Sequence, residues 1–394
     1  MSSARSLRIS FVHPDLLVGG AERLVVDAAV ALQDAGHRVA IYTTHHDRER
    51  CFEETRDGTL DVRVTSSPLP RHIAGRMLAP LAIARTSLAA MRARSEPCDL
   101  FFVDSVAHCI PLLKQACVPV LFYCHYPDRL LAPPGGRMRS AYRRPIDALE
   151  ARGIALADRV VVNSRFTANA FTRVFPRAVP PQVLPPGVDV ERHARAVAAV
   201  SPGTDCWTAA SINRFERKKN LPLAVESFAR FRARLGNDQR VRLVLAGSHD
   251  PRLADSHAAM DELRRAVEHH GLGASVHIRA NLSDGEKLQL LAEADCVLYT
   301  PTDEHFGYVP IEAMAAGRPV IVADSGGPRE TVGDGVTGFV RPPTADAFAD
   351  ALGALYADPQ RARAMGEAGR RHVQAHFSSE RFAACLREIV ESVA

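Results

Sequence analysis

The sequence predicts an α/β protein built from two doubly wound, Rossmann-like domains that face each other across a cleft. Short β-branched runs alternate with helix-like stretches through most of the 394 residues, the pattern of βα units. Most of those runs are continuously apolar, as expected of strands buried on both faces of a parallel sheet. The alternation pauses once, at PPQVLPPGVDVERHARAVAAVSPG, Pro180 to Gly203, a stretch rich in Pro and Gly at both ends that reads as a linker.

The elements follow in order. RISFV, HRVAIYTT, DLFFVDS, VPVLFYCHY and DRVVVNS supply strands for a first domain over 1–187. TAASINRF, RVRLVLAG, SVHIRA, CVLYTP and RPVIVAD supply those of a second over 188–372. Between strands lie stretches such as AERLVVDAAVALQDAG, apolar at helical spacing, with Gly36 at the C′ position. The remainder, 373–394, contains the amphipathic helix SSERFAACLREIVESV, expected to pack back on the first domain. Ligands of open α/β sheets bind at the carboxyl ends of the strands, so a cleft between two such sheets can hold one substrate from each side.

Composition narrows the class. The chain is 46% hydrophobic and 24% charged, with net charge +4, which argues for neither disorder nor nucleic-acid binding. Arginine supplies nearly all the positive charge; lysine occurs only at Lys114, Lys218, Lys219 and Lys287. The eight cysteines show no C-x-x-C and no zinc spacing with histidine. They read as reduced residues of a cytoplasmic protein. MSSARSLRISFVHPD has no apolar signal core, and no 18-residue apolar run is present to span a bilayer.

Four segments are candidates for chemistry. In HPDLLVGGAERL, Gly19 and Gly20 open a helix after a strand; the N-terminal N–H groups there suit an anion, and an ordinary tight turn explains the pair as well. In SINRFERKKN, Arg214 ends a strand and Lys219 follows in the loop. A guanidinium fork and a compact ammonium suit a diphosphate; a solvated basic loop is the alternative. In TPTDEHFGYVPIEAM, Glu304 and Glu312 stand eight positions apart around Gly307. Pro310 suits a first helical turn, which places Glu312 in that turn as well, where the helix dipole favours a carboxylate. Glu304 sits in the loop with no such local reason, so it carries the catalytic expectation. In FYCHYPD, His125 ends a buried strand at the expected cleft. No D-x-D occurs, so no metal site is expected. Fixed positive charge would then have to stabilise a nucleotide diphosphate.

E-x7-E after a strand, the R-x4-K pair upstream and GGAE near the N-terminus together resemble the retaining GT-B glycosyltransferases of family 4, from about Ile9 to Phe377. HPDLLVGGAERLVVDAA, FYCHYPD, SINRFERKKNL, LYTPTDEHFG and SGGP are more closely similar to the GDP-mannose-using members that build lipid-linked oligosaccharides. PPGVD at Pro185–Asp189 departs from the commoner PNGVD. The long apolar segments of the eukaryotic members are replaced by IAGRMLAPLAIARTSLAAMRA, broken by Arg76, Arg85 and Arg92. That stretch reads either as a plain surface helix or as a basic helix lying on a membrane.

The resemblance implies a retaining mannosyltransferase with GDP-mannose as donor, a glycan acceptor carried on a polyprenyl diphosphate, no cofactor and no metal. It implies peripheral contact with the cytoplasmic face of a membrane. Glu304 would contact the donor sugar and His125 would sit beside the reacting carbon. Phe306, Gly307 and Tyr308 would offer backbone N–H groups. Glu312 would bind the ribose, Arg214 and Lys219 the diphosphate, with Gly19–Gly20 closing over it. Arg279 would lie near the base. Three other readings stand beside this one. A family-4 enzyme could use a UDP-sugar instead, since neither motif selects the base. A nucleotide-binding oxidoreductase is disfavoured by the missing G-x-G-x-x-G. A non-catalytic partner of a membrane assembly is disfavoured by the presence of both acids, His125 and the Arg/Lys pair.

Overall fold

A computed structural model describes residues 6–49, 51–71, 78–132, 135–200, 206–236 and 240–394. The chain divides into two compact units, Met1–Gly187 with Glu380–Ala394, and Val188–Ser379.

In the first unit, seven parallel strands are β1 (Arg8–Val12), β2 (Arg38–Thr43), β3 (Asp61–Val64), β4 (Leu100–Asp104), β5 (Val120–Cys124), β6 (Arg159–Val162) and β7 (Gln182–Val183). Their order is β3-β2-β1-β4-β5-β6-β7. The continuous apolar runs are explained by burial on two faces. Leu100 and Phe102 of β4 join one core with Phe11, Leu121 and Tyr123, while Phe101 and Val103 join another with Val12, Val120 and Phe122. Phe11 and Phe102 stack at 4.4 Å between ring centroids. Burying each such side chain contributes about 1.5–3 kcal/mol.

Two helices cover the first of these cores. One is Gly20–Asp34, ended by Gly36 at φ +92. The other is Ser379–Val393, whose Phe382, Leu386, Ile389 and Val390 are buried there. The C-terminal stretch that the sequence sets apart at 373 begins inside the helix Pro359–His376, and the change of unit falls at 379/380.

In the second unit, six parallel strands are β8 (Trp207–Ile212), β9 (Val241–Gly247), β10 (Val276–Ala280), β11 (Cys296–Tyr299), β12 (Val320–Ala323) and β13 (Gly338–Arg341), in the order β10-β9-β8-β11-β12-β13. Both sheets therefore reverse their strand order once, between β1 and β4 and between β8 and β11. Such switch points leave a crevice at the carboxyl ends of the strands.

Three strands are absent from the sequence reading: β3, β7 and β13. All lie at sheet edges, where a strand lacks one neighbour and need not be continuously apolar. The helix after β11 also differs. It runs Tyr308–Ala315 with Gly307 as N-cap, so Pro310 is its third residue and Glu312 its fifth. No acid lies in the first turn, and the dipole argument for Glu312 falls. Gly317, at φ +69, follows its end.

The stretch IAGRMLAPLAIARTSLAAMRA changes character as well. Its start, 73–77 with Arg76, lies outside the described residues, as do Met1–Arg5 and the end of the linker, 201–203. From Ala79 it is a packed helix, with Thr86, Ala89, Ala90 and Ala93 buried. Arg85 is turned inward onto Asp15 at 2.8 Å and the Thr44 hydroxyl at 3.0 Å. A buried arginine held inward by a carboxylate and a hydroxyl, both on one terminal nitrogen, does not serve a membrane-facing surface.

Candidate active site

The site is built first in the second unit, at the switch point. β8 leads through Arg214 to a single 3-10 turn, Arg217–Lys219, after which Asn220 at φ +48 begins the helix Leu221–Arg234. The turn leaves Arg217 and Lys218 in solvent and folds Lys219 inward, to 7% exposure. Thr300, just past β11, donates its hydroxyl to the Lys219 carbonyl at 2.8 Å. The Lys219 ammonium donates to the carboxylate of Glu304. The sequence therefore singles out two residues, 85 apart, that the fold brings into direct contact.

Glu304 owes its place to a second loop. The Gly327 N–H donates to the Glu304 carbonyl at 2.7 Å. The Asp303 N–H donates to the Ser325 hydroxyl at 2.9 Å, and that hydroxyl donates to the Asp303 carboxylate at 2.9 Å. The loops lie so close that a Cβ on Gly326 would stand 2.3 Å from the Glu304 carbonyl oxygen. One on Gly327 would stand 2.4 Å from that of His305. This is the physical role of the SGGP segment. Burial alone would raise the Glu304 carboxyl, but the Lys219 ammonium outweighs it and holds the group below its ordinary value.

Glu312 repeats the arrangement. Lys287, from the helix Asp284–Glu293, reaches its Oε1 at 2.5 Å. The other oxygen, Oε2, is buried without a hydrogen-bond partner among the described residues. Burial raises this carboxyl too, and Lys287 again brings the balance below the ordinary value. Each acid of E-x7-E thus has its own lysine, and the chain contains only four. A compact ammonium fits such a confined contact better than a planar fork.

The other expected residues are distributed around this pair. Arg214 is exposed at the end of β8, 2.8 Å from Glu216. The Phe306 ring is buried in the core, 6.0 Å from Phe377, so only its backbone is available to a ligand. Gly307, at φ +89, and Tyr308 begin the helix whose first N–H groups have no partner within the helix. Arg279 is the next-to-last residue of the edge strand β10, two strands from β8, and lies 3.6 Å from Glu286. It stands apart from Glu304 but beside the helix that carries Lys287.

The first unit has its own cluster at its switch point. His125 follows β5, and its Nε2 is 2.8 Å from Oδ1 of Asp104, the last residue of β4. The second oxygen of Asp104 is 2.9 Å from Nδ1 of His13, which follows β1, and accepts from the Ser105 hydroxyl at 2.7 Å. Asp104 is fully buried. Burial opposes its charge, but the two imidazoles outweigh burial and hold the carboxyl far below its ordinary value. The same contact raises His13 against its own burial. The carbonyl of His125 accepts from the Asn163 amide at 3.1 Å. Gly19 caps the helix Gly20–Asp34 in extended conformation. The carboxylate of Glu22 folds back over it, 2.4 Å from where a Gly19 Cβ would lie.

Two family profiles match the chain: "Glycosyltransferase Family 4" over residues 18–192 and "Glycosyl transferases group 1" over 199–372. A protein of Rhizomucor pusillus named α-1,3/1,6-mannosyltransferase ALG2 is 40% identical, over 97% of this chain and 90% of its own. The Homo sapiens protein of the same name is 40% identical, over 95% and 93%. The chain belongs to glycosyltransferase family 4. Solved structures agree with the fold of the transferase. A sucrose-phosphate synthase from Thermosynechococcus elongatus superposes with a TM-score of 0.80 at 23% identity, covering 98% of this chain and 99% of that one. Anabaena Alr3699/HepE, in complex with UDP and glucose, gives 0.77 at 20% identity, covering 98% and 100%.

Three site residues of the transferase escape the sequence reading, His13, Asp104 and Lys287, and SGGP is noted there without its role in holding the Glu304 loop. Asp104 left a signal, since an acid closing the run FFVD must be paired if that strand is buried. Lys287 left another, as one of four lysines among 45 arginines.

Proposed function

We propose that this glycosyltransferase moves mannose from GDP-mannose to a hydroxyl of a lipid-linked glycan, forming an α-mannosidic bond with retention and without a metal. The observation that carries the reading is the contact of buried Lys219 with half-buried Glu304 at the switch point of the second sheet. Its companion is Glu312, whose buried second oxygen awaits a donor of hydrogen bonds, as a ribose hydroxyl is. The relatives named for mannosyl transfer support mannose as the sugar that is moved, and GDP as its carrier is part of the proposal.

In this reading Arg214 and Lys219 face the diphosphate as negative charge develops on it. Glu304 meets the sugar as its anomeric carbon gains oxocarbenium character. Lys219 serves both partners, so donor binding redistributes a charge already in place rather than desolvating a new one. In the first unit, Asp104 positions His125 beside the reacting carbon. An ionised carboxylate only accepts hydrogen bonds, so it fixes a proton on Nε2 of His125 and leaves Nδ1 to face the substrate.

The test is to incubate the purified protein with GDP-mannose and a panel of polyprenyl-diphosphate glycans, and to read product mass and linkage. Mannosylated product that persists in EDTA is expected. Transfer only from UDP-glucose, or loss in EDTA restored by Mn²⁺, would overturn the donor or the metal-free reading respectively.

A further inference from the structure

The helix Arg137–Leu156 buries an acid. Glu150 is only 3% exposed, and both of its oxygens are used on backbone. Oε1 accepts from the Asp128 N–H at 2.7 Å and Oε2 from the Arg129 N–H at 3.1 Å. These are the first two N–H groups of the short helix Asp128–Leu131, and such groups have no partner within their own helix. The N-cap there is Pro127, whose ring offers no hydrogen-bond acceptor. Glu150 therefore does from a distance what a capping side chain does locally. The turn it caps begins three residues after His125.

The same helix is seated on a second loop. Gly153 shares a helix face with Glu150. It lies so close to the 3-10 turn Ala107–Cys109 that a Cβ there would stand 2.0 Å from the Ala107 carbonyl oxygen. That turn begins three residues after Asp104. One helix face thus meets the loop after β4 and the loop after β5, and these loops adjoin the two partners of the Asp104–His125 hydrogen bond. The charge on Glu150 matters to this arrangement. An ionised carboxylate accepts at both oxygens, whereas a carboxylic acid or an amide turns one of them into a donor facing an N–H. Burial makes the ionised form costly, so a residue that only filled the core would have no need to be an acid.

We infer that Glu150 is a positioning residue for the Asp104–His125 pair: its carboxylate ties the turn after His125 to a helix fixed on the turn after Asp104. Its consequence for catalysis rests on the proposed place of His125 beside the reacting carbon. The charges around Glu150 oppose one another. The Asp128 carboxylate disfavours its ionisation, and the Arg143 guanidinium, 2.7 Å from Asp128, favours it. Asp147 is shared between Arg143 at 2.7 Å and Arg129 at 4.0 Å. His108 in the 3-10 turn and Cys124 at the end of β5 are held neutral, because burial pushes the imidazole down and the thiol up. Burial outweighs the other influences on Glu150, so it gains its charge, and with it the second hydrogen bond, as pH rises through about 7.

The test compares the full-length protein with Glu150→Gln across pH. The amide stands in for the protonated acid, so the ratio of the two kcat values cancels the titrating groups common to both. We expect the ratio of wild type to variant to rise from about one at pH ~5.5 to about ten at pH ~8.5, with donor KM the same in both. In the wild type, the Asp128 and Arg129 amide resonances should shift with a midpoint of about 7; in Glu150→Gln they should not. The wild-type titration needs no substrate, and it decides the hydrogen bonds even if the variant does not fold. A kcat ratio that is the same at every pH would make Glu150 a structural prop and overturn the assignment. So would wild-type amide resonances that do not titrate. If neither protein transfers mannose at any pH, the functional reading fails, and the amide titration alone decides whether Glu150 holds the turn.

Discussion

Asp104 joins His125 and His13 through its two carboxylate oxygens, at 2.8 and 2.9 Å. Asp104→Asn keeps the shape of the group but turns one acceptor into a donor, so one imidazole must change tautomer or lose its bond. We expect kcat to fall about a hundredfold with little change in donor KM, as a slightly misplaced group loses alignment rather than binding. Nitrogen chemical shifts of His125 should report the change of tautomer. Unchanged turnover with the changed tautomer would remove His125 from the reaction.

The Lys219–Glu304 contact separates two effects. Glu304→Ala is expected mainly to lower kcat, by roughly 10²–10³ if it loses one charged transition-state contact. Lys219→Ala should raise donor KM and lower kcat together, because that ammonium serves both the diphosphate and Glu304. Steady-state kinetics on both variants and on the double variant form the check. The double variant should lose less than the sum of the two, as contacting residues do. Strict additivity would place the two side chains in separate roles.

Gly326→Ala tests the supporting loop without touching a charge. The added methyl collides with backbone, and Gly326 sits at φ +68, where a side chain is strained. The Glu304 loop has to shift. We expect turnover to drop by tenfold or more, with the melting temperature falling only a few degrees. Wild-type turnover would mean that the loop tolerates displacement.

Glu150 supplies a pH dependence. Its carboxylate accepts from the backbone N–H groups of Asp128 and Arg129 at 2.7 and 3.1 Å, yet burial outweighs both and pushes its pKa up to about 7. The folded value lies above the ordinary 4.5, so the folded state holds this proton more tightly than the unfolded chain. The stability it confers is complete below pH 4.5 and is lost as pH rises through about 7. Glu150→Gln should flatten the fall in melting temperature between those limits, and carboxyl-carbon NMR should show Glu150 titrating near the upper one. Titration near 4.5 would refute the burial argument.

What the sequence could show follows from these particulars. Strands buried on both faces wrote themselves as RISFV and CVLYT, and the best candidate residues lie at their carboxyl ends. Edge strands β3, β7 and β13 carry no such signature, because one side of each meets solvent rather than another strand. Glu304 was legible as an acid without local reason; its reason is Lys219, 85 residues away. Glu312 was misread, since two extra residues at the start of its helix move it out of the first turn and leave Lys287 as its support. Asp104 and His13 lie 91 residues apart, and only the adjacency of β1 and β4 joins them.

The C-terminal helix Ser379–Val393 closes the core of the unit in which the chain begins. During synthesis the amino-terminal unit therefore emerges first but finishes last. Its sheet is made within residues 1–187, while Phe382, Leu386, Ile389 and Val390 leave the ribosome only after the whole second unit. The middle unit has all its strands by residue 341 and its last helix by 376, so it can fold while its predecessor still exposes an apolar face. A nascent chain halted before residue 380 should display that face to chaperones, and emergence of residues 380–394 should withdraw it.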